Sequence, residues 1–184
     1  MRSLVHVFNI WADSFVTVCH FGKTAREMES NATPNRDFPI SRLGTDKTGN
    51  DWLVEVCNYG PSDPWVMFAA WPADLPASRR DYPMVVVNVW IESGVAAKIG
   101  DIEVRDPSLE NRGIGSLILD FLIRWLRQIS IVRLYGDVSS MDSDHLDKLK
   151  HFYEKHGFYF ELYPPGDPRL AKDPMTVGRV ERQL

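Results

Sequence analysis

Residues 110–128, ENRGIGSLILDFLIRWLRQ, set two glycines, Gly113 and Gly115, at the mouth of an apolar helix. Glycine costs an α-helix on the order of 0.5–1 kcal/mol relative to alanine, so two in the first turn need a reason. Either the chain merely turns there, or a ligand must come close to the backbone. The second reading has a physical basis, because the first turn of a helix leaves N–H groups unpaired and carries partial positive charge. Glycine lets a phosphate reach those amides with no Cβ in the way. From Ile114 onward the apolar residues fall at Ile114, Leu117, Ile118, Phe121, Leu122, Trp125, Leu126 and Ile129, the spacing of one helix face.

Downstream, IVRLYGDV (131–138) reads as a strand, and residues 143–157 read as a second helix. That helix carries Leu146, Leu149, Phe152, Tyr153 and His156 on one side, with Gly157 as its C-terminal stop. FYFELY (158–163) is a strand, PPGDP a loop and TVGRVERQL a closing strand. Upstream, residues 52–59, 65–71, 84–91 and 95–104 are rich in β-branched and aromatic residues and predict strands. Residues 3–11 and 14–21 predict two more, and 24–30 a short helix capped by Thr24. The turn-rich stretches 31–51 and 72–83 read as loops. Antiparallel strands followed by β–α–β–α–β imply an α/β fold (an α+β mixed sheet): a central mixed β-sheet flanked by helices, with an atypical β-rich N-terminal extension.

Of two familiar phosphate motifs one fails and the other fits poorly, which keeps a dinucleotide-binding fold as a third option. A Walker A loop needs Lys-Ser/Thr after its last glycine, and here Ser116 and Leu117 follow. A dinucleotide fingerprint would put its third glycine at Ile118 and its acid at Asp137, and it does not tolerate RDPSLENR between strand and glycine. IEVRDPSLENRGIGSLILDFLIRWL (102–126) instead resembles motif A of the GNAT N-acetyltransferase superfamily, a strand ending in valine, a proline-containing loop and then R/Q-x-x-G-x-G/A. LKHFYEKHGF (149–158) resembles the second signature of that family, a helix ending Y-E-K-x-G-F. The order and separation match over residues 84–184, which the resemblance makes the acyl-CoA-binding core. Residues 1–83 would supply the N-terminal part of the same compact domain and elements of the acceptor side.

That resemblance implies acetyl-CoA or another acyl-CoA as cofactor. Backbone amides of Glu110, Asn111, Arg112, Gly113, Ile114, Gly115 and Ser116 would hold the diphosphate, with added charge from Arg112. The pantetheine arm would lie beside Ile102 and Val104, and a backbone N–H near Val104 would polarise the thioester carbonyl. Tyr153 matches the family's general acid, since a phenol of pKa about 10 is protonated at neutral pH and able to donate. Tyr153 also falls on the stripe of Leu149 and Phe152, where a helical aromatic fills a core. The chain departs from the pattern at Glu110, where Arg or Gln is usual, at Leu146, where Asn is frequent, and at Lys98, where many members carry Glu. The general base is left open between Asp101, Glu103 and relay through water. The expected activity is direct transfer to a primary amine of a small molecule or peptide in a ternary complex. The alternative is a GNAT-fold module that binds CoA or a partner without catalysis.

Composition fits a soluble protein of 184 residues, with 44% hydrophobic residues and a net charge of -4. No Lys/Arg block resembles a phosphate-tracking stripe, so nucleic acid is not an expected partner. The N-terminus has neither a signal peptide nor a membrane span, so a cytoplasmic location and no membrane partner are expected. Cys19 and Cys57 read as buried thiols, and the five histidines make no familiar metal spacing, so no metal is expected. Many GNAT proteins are dimers, which allows a homodimer. The tryptophans Trp11, Trp52, Trp65, Trp71 and Trp90 either line an acceptor pocket, together with the 72–83 loop, or fill the core.

Overall fold

A computed structural model describes residues 40–58 and 64–184. The strands expected at 3–11 and 14–21, the helix at 24–30, Cys19 and Trp11 lie outside the described residues. The described elements are strands β1 (Ser41–Thr45), β2 (Asp51–Asn58), β3 (Trp65–Pro72), β4 (Val85–Glu92), β5 (Ala96–Val104), β6 (Arg133–Ser139), β7 (Tyr159–Leu162) and β8 (Thr176–Gln183). The helices are α1 (Ile114–Gln128), α2 (Leu146–Lys155) and α3 (Pro168–Lys172). The strands form one mixed sheet in the order β1-β2-β3-β4-β5-β6-β8-β7. No helix among the described residues is long and apolar enough to cross a membrane.

The chain divides into two compact units, one reaching Asn88 and including Asp101–Ile118, the other made of Val89–Gly100 and Leu119–Leu184. In the first, β2 and β3 pair antiparallel from Trp52 with Pro72 to Asn58 with Val66, and β1 adds to β2. Period-two burial puts Trp52, Val54 and Val56 inside, with Phe68 on β3. Each such large apolar side chain contributes about 1.5–3 kcal/mol by leaving water. Trp52 and Trp71 are core residues, whereas Trp90 is exposed; the pocket-lining alternative does not hold for the first two. Cys57 is buried, as expected.

The stretch read as a loop over 31–51 contains β1, which the sequence hides for a physical reason. Only Leu43 of its five residues is buried, and a bulge interrupts its register between Arg42 and Gly44, so no alternation marks it. Its order comes from β2.

In the second unit β5 and β6 run parallel, pairing Ala96 with Arg133 through Ile99 with Gly136; the end of β5, from Asp101 to Val104, belongs to the first unit. β8 lies antiparallel between β6 and β7. Gly178 is where β7 comes close: a Cβ there would overlap the Glu161 carbonyl oxygen. The second helix starts later than the expected 143, because Ser140–His145 form a 3₁₀ turn and Leu146 opens α2. Ser139 and Asp142 close that turn as a capping box. α3 begins on the last proline of the PPGDP stretch and is not expected from the sequence, although Asp167 caps it and Pro168 opens it. Along α1, Leu119 and Ile123 are buried with Ile114, Ile118, Leu122 and Leu126, while Ile129 is exposed. The buried face is therefore turned from the expected stripe by about one residue.

Candidate functional site

The loop after β5 is built by short-range bonds. Arg105 N–H donates to the Met84 carbonyl at 2.9 Å. Asp106 caps a 3₁₀ turn by accepting from Ser108 N–H at 2.8 Å, and this bond helps hold its carboxyl below the usual range. Leu109 is buried, and Glu110 turns extended as its N–H donates to Pro107 at 3.2 Å. Asn111 then takes φ 59° and Gly113 φ 85°. Both lie in the left-handed region, which asparagine tolerates and glycine occupies without strain. α1 begins at once, with Ser116 and Leu117 N–H both donating to the Gly113 carbonyl at 3.1 Å. The first glycine is thus favoured by backbone conformation, and a Cβ on it would stand in contact with the Lys47 side chain at 3.4 Å.

The support under this loop comes from the β1–β2 turn. The Asp46 side chain is wholly buried. Its Oδ1 accepts from Thr48 N–H at 2.9 Å, Thr48 Oγ1 at 2.8 Å and Asn50 N–H at 3.0 Å. Its Oδ2 accepts from Trp52 Nε1 at 3.0 Å and from Arg112 Nε at 2.9 Å and Nη2. Burial pulls the Asp46 pKa up, but hydrogen bonds from Thr48, Trp52 and Asn50 outweigh it and hold the carboxyl far below the usual carboxylate range. Lys47 N–H donates to the Arg112 carbonyl at 2.9 Å. Lys47 itself is exposed and makes no ion pair with the described residues. Sequence reasoning missed Asp46 and Lys47; the signal available was D-x-T-x-N, an aspartate that can fold a turn back on itself.

On β5, Ile102 is buried, while Asp101 and Val104 are partly so. Glu103 accepts from Arg105 Nε at 2.9 Å. Lys98, which stands where a glutamate is usual, pairs with Asp137 at 2.6 Å. The acid considered for a dinucleotide fingerprint, Asp137, is therefore an ion-pair partner on the next strand.

In the second unit Tyr153 is buried. The end of α2 shows why its signature has the form it does. Phe158 N–H donates to the Tyr153 carbonyl at 3.1 Å, Gly157 N–H to Glu154 at 2.9 Å, and Gly157 has φ 75°. This is a Schellman cap, whose hydrophobic contact joins the two ring residues: Tyr153 and Phe158 meet edge to face at 5.2 Å. His156, the variable position of the signature, is buried, and its Nδ1 lies 2.9 Å from Asp120 Oδ1. Burial lowers its pKa, with Asp120 pulling the other way.

No known family model matches the chain. The uncharacterised protein YocC of Bacillus subtilis is 41% identical over 63 residues, 34% of this chain and 36% of YocC, so the match spans about a third of that relative's length. Among solved structures, the GNAT domain of S. lividans PAT superposes with a TM-score of 0.55 at 13% identity, covering 79% of this chain and 97% of that domain. A GNAT family acetyltransferase from Elizabethkingia anophelis, solved with acetyl-CoA bound, gives 0.48 at 13% identity over 66% of this chain and 77% of its own. The chain has the fold of the GNAT acetyltransferase superfamily.

Proposed function

We propose that the protein is an N-acyltransferase that moves an acetyl group from acetyl-CoA, or another acyl group from its CoA thioester, to a primary amine of a small molecule or peptide. The observation that carries this reading is the left-handed course of Asn111 and Gly113 into the start of α1, on a GNAT fold. The N–H groups of that first turn and the helix dipole favour a diphosphate. Exposed Lys47 adds a side-chain charge beside Gly113. The residues fit the ligand despite the acidic Glu110, because the donors are backbone amides.

The amine nitrogen attacks the thioester carbonyl carbon, the C–S bond breaks, and the amine gives up one proton as the sulfur gains one. Backbone N–H groups of β5 near Val104, beyond its last pair with β6, are assigned to the carbonyl oxygen. Tyr153 is assigned the proton for the departing sulfur. Asp101 and Glu103 are the candidate acceptors of the amine proton, and Glu103 would first have to part from Arg105. The test is calorimetric titration with CoA followed by turnover on a panel of amines. Binding with turnover supports the enzyme, and absence of CoA binding removes the reading.

A second reading, a CoA-binding module without catalysis, is favoured by one observation. Tyr153 already has a complete structural role as the packed residue of the α2 cap. Tight CoA binding with no turnover on any amine would select it.

A further inference from the structure

We propose that Asp46 is the positioning residue of the phosphate loop, and that Arg112 acts on the ligand through Asp46 and does not touch phosphate. This rests on the acyl-CoA reading above. An arginine two residues from a helix start is the natural candidate for direct phosphate contact, but Nε and Nη2 of its guanidinium are already held by Asp46. Nε and Nη2 both donate to Asp46 Oδ2, the Asp46 side chain has no exposed surface, and that of Arg112 is 21% exposed. Charge-assisted bonds of this kind are the strong ones, and turning Arg112 toward a ligand would strand a buried carboxylate.

Asp46 is itself immobilised from its own side of the fold. Thr48, Asn50 and Trp52 hold it through four further bonds, and Trp52 is a fully buried core residue. The main chain adds a second tie, Lys47 N–H to the Arg112 carbonyl. Arg112 lies between Asn111 and Gly113, the two residues with positive φ, so the tether acts at the point where the loop sets the direction of its amides. The core hairpin thereby fixes the loop. The cation of Arg112 is cancelled, and the anion is left to backbone dipoles and Lys47.

The test is a double-mutant cycle on CoA affinity, measured by calorimetry with wild type, Asp46→Asn, Arg112→Gln and the double variant. Thermal stability and affinity for pantetheine, which lacks the diphosphate, are measured on each. Each single substitution should weaken CoA binding about tenfold, with the double no weaker than the worse single, because the two residues form one coupled unit. The ratio of CoA to pantetheine affinity should fall by the same factor, a change that lost stability alone does not produce. Additive losses would show Arg112 meeting phosphate directly and overturn the proposal. Unchanged CoA affinity in folded Asp46→Asn would overturn it too. If Asp46→Asn does not fold, the comparison of Arg112→Gln with the double, which leaves no lone buried charge, decides in the same way: equal losses support the proposal, and a larger loss in the double or no loss in either overturns it. Wild type that binds no CoA removes the underlying acyl-CoA reading instead.

Discussion

The side chain of Lys47 lies 3.4 Å from where a Cβ on Gly113 would stand, and Gly113 has φ 85°. Alanine at this position meets the left-handed penalty, about 1–2 kcal/mol, while the lysine stem lies at ordinary contact distance. Gly113→Ala is expected to stay folded with a lowered melting temperature and to bind CoA about tenfold more weakly, a loss of roughly 1.4 kcal/mol. Thermal melting and calorimetry check the two halves. Undiminished CoA affinity in the folded variant would end the phosphate-loop assignment.

Tyr153→Phe keeps the ring that packs on Phe158 at the α2 cap. Stability should change by about 1 kcal/mol or less, the scale of one hydrogen bond. Turnover should fall about 100-fold or more with CoA affinity retained, as loss of a general acid requires. Equal turnover by the two proteins would leave Tyr153 as a core residue only.

The His156 imidazole is buried beside Asp120, with Nε2 unpaired in hydrogen bonding among the described residues. Burial lowers its pKa from 6.5, Asp120 opposes this, and Lys155 and Arg182 add to the lowering. The unfolded chain therefore binds the proton more readily, so the protein loses stability as pH falls below about 6.5 and the loss levels off once the folded state also protonates. Denaturant titrations from pH 7.5 to 5 should show a flatter profile for His156→Gln than for wild type. Parallel profiles would contradict this.

Gly178 has no room for a side chain, since a Cβ would overlap the Glu161 carbonyl oxygen and come within 3.2 Å of Leu162 Cα. Gly178→Ala must part β7 from β8 and should cost about 1–3 kcal/mol, read as a lower urea midpoint. An unchanged midpoint would mean that the strands separate without strain.

Much of this molecule is written in short stretches. The strands β2 to β8, the helix after Gly113 and the cap at Gly157 come from periodicity and turn chemistry that span only a few residues, and the order of the two signatures was enough to identify the GNAT fold. Where local pattern is weak, the sequence is silent: β1 buries a single residue, and its ladder belongs to β2. Only the tertiary structure decided what Arg112 faces, because its partner Asp46 lies 66 residues away and no short-range pattern encodes such a pairing. It likewise assigned Trp52 to the core and to that same carboxylate. Hydrophobic spacing sets which elements form, whereas the direction of a buried charge depends on what the folded chain brings next to it.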